Sequence, residues 1–179
     1  PELLRRVCRI ESIRRVRFIT SHPKDISDEL ISLFGEETNL ARSIHLPLQS
    51  GSDKILERMR RGYTLERYLE KVKLLKKLYP DISVTTDIIV GFPGETDLDF
   101  HETMAVVKEV EFDGLFSFKY SPRPLTDAAH FEDQVPEEAK QMRLELLQST
   151  QRAITTKKNR LLNGRVMEVI VEGRSRRSD

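Results

Sequence analysis

The stretch TTDIIVGFPGET, Thr85–Thr96, predicts a strand, a loop and the start of a helix in direct succession. Residues 82–90 have the apolar, β-branched composition of a fully buried strand, and residues 91–95 supply the glycines and the proline of a loop. Thr96 then starts a helix with a T-x-x-D capping box. One residue does not fit a buried strand: Asp87 places a carboxylate among apolar neighbours, which raises the question of what it contacts.

The same order of elements recurs along the chain. Strands are predicted at 16–20, 43–48, 82–90 and 115–120, and helices at about 1–12, 25–35, 53–61, 64–78, 96–110 and 136–162. Strands that alternate with helices favour a parallel sheet, because a crossover helix joins successive parallel strands. The sequence therefore predicts an α/β fold, an open or partial (β/α) barrel, and a strand-like VMEVIVEG stretch follows its last helix.

Composition limits the kind of protein and its partners. The 179 residues include 30 Lys and Arg against 29 Asp and Glu, so bulk charge does not indicate nucleic acid or a membrane as a partner. No apolar run approaches the roughly 20 residues that span a bilayer, and a cytoplasmic location without membrane contact is expected. The one cysteine, Cys8, permits no internal disulfide, and we interpret it as a packed helix residue.

Four loops follow the predicted strands, at residues 20–25, 49–53, 91–95 and 121–126. Ligands of parallel α/β folds bind outside the carboxyl ends of the strands, so these loops are the candidate site. The alternative is that their glycines, serines and prolines are ordinary turn and cap residues. Asp87 should face a cleft or meet a hydrogen-bond partner, and either reading stays open.

Histidines and arginines give weaker signals. His22 follows a strand and either touches a substrate or shapes its loop, whereas His45 is expected in the core. No two histidines have the spacing of a metal site, so none is predicted. Two basic groups, residues 58–61 and 174–177, either neutralise phosphates or form a solvated surface.

Five motifs resemble the radical S-adenosylmethionine methylthiotransferases. They are TSHPKD (20–25), HLPLQSGSD (45–53), MRRGYT (59–64), TDIIVGFPGET (86–96) and FSFKYSPRPLT (116–126). The YSPRP motif is similar to the MiaB type, which acts on isopentenyl-modified adenosine beside the anticodon of tRNA. The RimO type, which acts on a ribosomal protein, has acidic residues where Arg123 and Pro124 stand. Leu125 replaces the glycine that is common after YSPRP.

The resemblance implies a site and its residues. Contacts to S-adenosylmethionine are implied for Gln49, Ser50, Ser52, Ile89, Val90, Gly91, Phe92, Gly94 and Glu95. Contacts to the substrate are implied for His22, Arg61, Asp87, Tyr120 and Arg123. The resemblance further implies that the parent enzyme holds two 4Fe-4S clusters, takes electrons from a donor protein and binds tRNA.

The chain departs from the family pattern because the cluster cysteines, including a CxxxCxxC loop, are missing. We expect the chain alone to be inactive, with no catalytic residue of its own, and to bind neither S-adenosylmethionine nor a cluster stably. The resemblance divides it into barrel strands three to six (1–132), a connecting helix (133–163) and the start of an RNA-binding TRAM-like β domain (164–179). A RimO-type enzyme or a cluster-free scaffold are the alternatives, and an exposed sheet edge is expected to promote self-association.

Overall fold

A parallel sheet of three strands, in the order β1–β2–β3, lies at the centre of the fold. The computed structural model describes residues 1–19, 22–171 and 173–174. The strands are β1 (Ser43–His45), β2 (Ser83–Val90) and β3 (Gly114–Lys119). Ser83 of β2 is in register with Ser43, and Asp87 is in register with Phe116. The predicted α/β class is confirmed.

Helices connect and cover these strands. They are α1 (Glu2–Cys8), α2 (Asp28–Glu36), α3 (Asp53–Arg58), α4 (Leu65–Leu78), α5 (Asp97–Val110) and α6 (Glu137–Arg160), with short 3₁₀ turns at Pro23–Asp25 and Asp127–His130. The predicted capping box forms at the start of α5, where the side chains of Thr96 and Asp99 each accept a hydrogen bond from the other's backbone N–H. This box fixes the point at which the chain leaves the loop after β2.

The two faces of the sheet differ in burial. Val84, Ile88 and Val90 of β2 are at most 1% exposed and pack against the helices. The intervening residues Thr85, Asp87 and Ile89 are only half-buried, so β2 alternates and is not the fully buried strand that its composition predicted. Asp87 therefore lies on the open face of the sheet, where a carboxylate keeps part of its hydration.

The first predicted strand, 16–20, does not form a ladder. Val16 makes a single parallel bridge with Leu40, and residues 17–19 have no strand partner, while Thr20 lies outside the described residues. The ring of Phe18 instead stacks on Phe34 of α2 at 5.7 Å between centroids. A strand needs a neighbour to satisfy its backbone, and the alternation of side chains does not supply one.

The second predicted strand, 43–48, forms a regular ladder only in its first part. β1 ends at His45. The Leu46 N–H still donates to the Thr85 carbonyl at 2.8 Å, but the Leu48 N–H donates to the Thr86 hydroxyl at 2.9 Å instead of to a backbone carbonyl of β2. Pairing resumes at Gln49, which forms an isolated parallel bridge with Ile88. His45 was expected in the core, which is wrong: it is half-buried on the open face of the sheet.

The first helix and the described residues after α6 are less regular than predicted. α1 ends at Cys8 rather than near residue 12, although Cys8 is buried as expected. Residues 165–171 form no strand and their apolar side chains are exposed, because nothing in the described structure pairs with them; Glu172 and residues 175–179 lie outside it. Among the described helices, none combines the length and apolarity needed to cross a membrane.

Candidate functional site

The carboxyl ends of the three strands border one cavity of about 910 Å³. Residues after β1, β2 and β3 all line it, together with the turn that follows α3. Parallel strands end at the same edge of a sheet, which is why loops far apart in sequence meet here. The volume lies within the range of small-molecule and cofactor sites.

Gln49 is held at the cavity by backbone hydrogen bonds on both sides. Its N–H donates to the Asp87 carbonyl at 2.8 Å, and its own carbonyl accepts from the Ile89 N–H at 2.9 Å. The residue has a φ of 71°, a left-handed conformation that is uncommon outside glycine. Two hydrogen bonds to β2 maintain that conformation, so the position of the Gln49 side chain is fixed by the sheet.

Asp87 faces the cavity and also has a partner within the protein. Its Oδ1 lies 3.3 Å from Nε2 of His45, whose Nδ1 lies 3.0 Å from the Thr85 hydroxyl. The Asp87 side chain is 27% exposed. The sequence left open whether Asp87 faces a cleft or meets a hydrogen-bond partner. In the structure its carboxylate does both.

Tyr120 continues β3 into the cavity wall. Its N–H donates to the Val90 carbonyl at 2.8 Å, and its ring meets Phe92 edge-on at 5.1 Å between centroids. The Tyr120 hydroxyl is enclosed and has no hydrogen-bond partner in the described part of the chain. An enclosed hydroxyl without a partner is costly, and a ligand that accepts its hydrogen bond would remove that cost.

Basic side chains dominate the remaining wall. Arg58, Arg60, Arg61, Lys119 and Arg123 line the cavity, against the two carboxylates of Asp87 and Asp127. Lys119 pairs with Glu137 at 2.5 Å, and Arg58 and Arg60 also have carboxylate partners. The positive charge that suits an anionic ligand is therefore that of Arg61 and Arg123.

Two of these arginines have partners that the sequence did not reveal. Arg58 lies over the Phe131 ring at 4.8 Å and binds Asp133 at 2.8 Å, and Arg60 binds Asp127 at 2.7 Å. More than 60 residues separate each pair in the sequence, so no local pattern could have identified Phe131 or Asp127 as site residues.

Glu95 lies beneath the cavity and does not line it. Its carboxylate accepts from the Gly91 N–H at 2.7 Å and from Nη1 of Arg143 at 2.7 Å. Burial raises the pKa of Glu95 above its ordinary value, while the Gly91 N–H and Arg143 act in the opposite direction. Glu95 thus joins the loop after β2 to α6, and it is an anchor of that loop.

The two glycines of this loop are required by protein packing. A Cβ on Gly91 would lie 2.2 Å from Cγ of Lys140, and one on Gly94 would lie 2.7 Å from Oδ2 of Asp133. Both have positive φ, at 72° and 81°. The space beside them is filled by side chains of the chain itself, and Val90 is buried among the helices.

Ser50 and Ser52 face the helices. The Ser50 hydroxyl lies 3.4 Å from that of Thr103, and the Ser52 hydroxyl donates to Asp99 at 2.7 Å. Asp99 also accepts from Lys54 and Thr96; burial alone would raise its pKa, but these hydrogen bonds outweigh burial and hold the pKa well below the usual range. The structure thus places both serines in the packing between α3 and α5.

His22 also lies away from the cavity lining. Its Nδ1 accepts from the Lys24 N–H at 3.3 Å, and its ring meets Tyr63 edge-on at 5.2 Å. Burial and then the charge of Lys24 lower the pKa of His22. These contacts are those of a residue that shapes its own turn. Of the fourteen sequence-predicted residues, the cavity brings together Gln49, Arg61, Asp87, Ile89, Phe92, Tyr120 and Arg123.

The donor set of the cavity fits an adenosyl group. Ile89 and Phe92 offer apolar surface for a purine, and Gln49, Asp87 and the unpartnered Tyr120 hydroxyl offer hydrogen bonds. The residues do not fit an iron–sulfur cluster. The sequence has one thiol, and Cys8 is buried in α1, where burial raises its pKa. The described residues contain no group of three or more His, Cys, Asp or Glu that could hold a metal ion.

Comparisons with known proteins identify similar sequences. A model of the radical SAM superfamily matches residues 1–107. A tRNA-2-methylthio-N(6)-dimethylallyladenosine synthase of Syntrophobacter fumaroxidans is 52% identical over 179 residues, which are 100% of this chain and 39% of that protein. A protein of the same name from Clostridium botulinum strain Hall is 51% identical over 178 residues, 99% of this chain and 40% of that protein. The chain spans about two fifths of the length of these curated relatives.

A solved structure resembles the fold. Coproporphyrinogen III oxidase (HemN) of Escherichia coli, described as a radical SAM enzyme, superposes with a TM-score of 0.59. The match covers 75% of this chain and 31% of that chain, at 21% sequence identity. At this identity the match supports the partial-barrel fold and says nothing further about the site.

Proposed function

The chain belongs to the radical SAM superfamily, and from this premise we propose that it forms the substrate-facing part of a tRNA methylthiotransferase. The proposed reaction adds a methylthio group to a dimethylallyl-modified adenosine. The relatives that carry this activity in their names are 51–52% identical over nearly the whole chain. The substrate, the activity of a complete enzyme and the use of an electron donor protein are all part of this proposal.

The observation that carries the proposal is the mixed chemistry of the cavity. One wall holds Ile89, Phe92 and Tyr120 beside Asp87, which suits a purine with its polar edge. The other wall holds arginines, which suit the phosphates of RNA. A protein substrate would not need this excess of positive charge, so the cavity favours RNA over the ribosomal-protein alternative.

Five residues of the cavity have a proposed task. Gln49 and the Tyr120 hydroxyl orient the adenosyl and substrate groups by hydrogen bonds, and Asp87, itself positioned by His45, accepts from an amine or hydroxyl of the ligand. Ile89 and Phe92 exclude water from the base. When bound, S-adenosylmethionine supplies radical and methyl-donor chemistry. A cluster needs three or four thiolates and this sequence contains one cysteine, so no step through a cluster is assigned to these residues.

We also propose a division of labour along the chain. Residues 1–132 supply the barrel part and residues 133–163 the connecting helix. Residues 164–179 begin a further RNA-binding domain. This proposal rests on the arrangement in which α6 packs against β3 and α5 while residues 165–171 make no strand within the described structure.

A chimera tests the function. The matching region of the Syntrophobacter fumaroxidans relative is replaced by residues 1–179 and expressed in cells that lack their own enzyme, and the nucleosides of digested tRNA are measured by mass spectrometry. We expect 2-methylthio-dimethylallyladenosine, and Asp87→Asn in the chimera should reduce it. A folded chimera with a normal iron–sulfur spectrum that leaves the adenosine unmodified would overturn the proposal. Methylthiolation of a ribosomal protein instead would favour the protein-modifying type.

A further inference from the structure

Two arginines in the cavity wall lack an ion-pair partner among the described residues. Arg61 and Arg123 make no ion pair with any carboxylate in the described residues. By contrast, Arg58 and Arg60 in the same wall are bound to Asp133 and Asp127. Unpaired guanidinium groups in a cavity are available to bind an anion from outside the chain.

The backbone fixes both arginines in place. The N–H of Arg61 donates to the Leu56 carbonyl at 3.0 Å, in a turn where Arg60 and Gly62 both have positive φ. The carbonyl of Arg123 accepts from the Thr126 hydroxyl at 2.8 Å and from its N–H at 3.2 Å. Each guanidinium therefore starts from a defined backbone position, which lowers the entropy that binding would cost.

An exposed aromatic ring lies in the sheet wall of the same cavity, where Phe118 is in register with Ile89. Phe118 of β3 lines the cavity although its side chain is 53% exposed. Phe116, two residues earlier on the same strand, is 58% exposed but lies outside the cavity lining and meets His45 edge-on at 5.9 Å. Only the first of these two rings lines the same cavity as the unpaired arginines.

We propose that Arg61, Arg123 and Phe118 form a subsite for a single-stranded RNA segment. The two guanidinium groups bind phosphates on either side of an unpaired nucleotide, and the base of that nucleotide stacks on the Phe118 ring. This inference rests on the proposed function and deepens it, because it makes the neighbouring nucleotide part of the recognised substrate. A basic groove combined with a stacking ring is how proteins hold single strands, and bases inside a duplex are not available to stack on a side chain.

Binding of RNA by the 179-residue chain tests the subsite. The probe is a fluorescein-labelled single-stranded hexaribonucleotide, followed by fluorescence anisotropy between 50 and 300 mM salt, with the same strand in a duplex as comparison. We expect the duplex to bind more weakly than the single strand. Arg61→Gln with Arg123→Gln should reduce the slope of log K against log salt by about 1.4, because each phosphate contact to a single strand contributes about 0.7. Phe118→Leu should weaken binding about ten-fold with an unchanged slope.

Matched control variants distinguish the loss of a subsite contact from the loss of any exposed ring or any positive charge. Phe116→Leu alters a ring of similar exposure outside the cavity, and Arg152→Gln removes an exposed arginine of α6; neither should change the affinity. Circular dichroism melting checks that each variant is folded. If the glutamine double variant does not fold, Arg61→Lys with Arg123→Lys is measured in its place, and it should retain the salt slope because it keeps both charges. Equal effects of Phe118→Leu and Phe116→Leu, or a salt slope unchanged by the double variant, would overturn the proposal.

Two further results would identify another occupant. If the double variant weakens binding of S-adenosylhomocysteine and leaves RNA binding unchanged, the arginines serve the carboxylate of the cofactor and the RNA subsite is refuted. If an acidic peptide displaces the RNA at equal charge concentration, the site is a general anion site and the proposal also fails. A chimera that methylthiolates tRNA despite either result would leave the proposed function standing.

Discussion

The guanidinium of Arg143 lies 2.7 Å from the carboxylate of Glu95, and both side chains are at most 10% exposed. Nη2 of the same arginine binds the exposed Asp97 at 2.8 Å, and this contact lowers the pKa of Asp97. Because Glu95 also holds the Gly91 N–H, the pair joins α6 to the loop that borders the cavity.

Removing the cation from this pair should destabilise the fold. Arg143→Met leaves the Glu95 carboxylate buried without its charge partner, and we expect a loss of about 3 kcal/mol in the free energy of unfolding, measured by urea denaturation. Arg143→Met combined with Glu95→Gln should recover part of it, because the buried charge is gone. Lys157→Met breaks the exposed pair with Glu111 and should cost less than about 1 kcal/mol. Equal costs for the two methionine variants would contradict this account.

Asp99 should make stability depend on pH in acid. Its folded-state pKa is below the unfolded value, so between those two values the unfolded chain binds more protons. The stability that Asp99 contributes is therefore complete above about pH 5 and is lost as the pH falls below about 4. The difference in unfolding free energy between the wild type and Asp99→Asn should shrink as the pH falls from 6 to 3. A difference that is constant over this range would show that the carboxylate charge contributes nothing.

Substitution of two glycines should separate the cost of a left-handed backbone from the cost of a steric clash at the added Cβ. Gly91 and Gly62 have similar φ values of 72° and 68°, but a Cβ at Gly62 would meet nothing within 4 Å. Gly62→Ala should cost about 1 kcal/mol for the left-handed backbone, and Gly91→Ala about 2 kcal/mol more for the contact with Lys140. Lys140→Ala should reduce the excess in the Gly91→Ala background. Thermal melting that finds the two alanine variants equally stable would refute the steric argument.

Leu125 stands where the resembling family has glycine, and its φ is 69°. The side chain is fully exposed, so its removal loses no packing. Leu125→Gly should raise the free energy of unfolding by about 0.5 kcal/mol, because relief of the left-handed strain exceeds the added freedom of the unfolded chain. Leu125→Ala keeps the Cβ and should give no gain, which makes it the control in the same denaturation experiment.

Exposed rings on β3 should promote association. β3 is an edge of the sheet in the described structure, and Phe116 adds an exposed apolar surface to it. Phe116→Lys should lower the concentration-dependent mass in sedimentation equilibrium. Leu98→Lys changes a residue of α5 that is 76% exposed and does not belong to the sheet, and it should have no effect. A wild type that stays monomeric at high concentration would contradict the expectation.

Local sequence signals predicted the parts of the fold that local chemistry determines. The capping box at Thr96 formed as its spacing indicated, and β2 and β3 lie within two residues of their predicted bounds. The predicted strands at 16–20 and 166–173 do not form at their described residues, 16–19, 166–171 and 173. A β-branched pattern describes a surface that fits a sheet, but it does not supply the neighbouring strand.

In the site, too, some positions follow from local sequence and others depend on packing between distant residues. Gln49 and Tyr120 follow strands, and Asp87 lies within β2 near its carboxyl end, so position in the chain was enough to place all three at one edge. Ser50 and Ser52 adjoin Gln49 in sequence but face the opposite way, and only the packing of Thr103 and Asp99 reveals this. Phe131 entered the cavity through its contact with Arg58, which no spacing rule contains.

The contacts between α6 and the loop after β2 have a thermodynamic consequence. Lys140 fills the space beside Gly91 and Arg143 holds Glu95, so a shift of this helix along its axis requires the cavity wall to move with it. If a partner that binds beyond Arg160 shifts α6, its binding is linked to occupancy of the cavity, and by reciprocity an occupied cavity changes the free energy of that binding by the same amount.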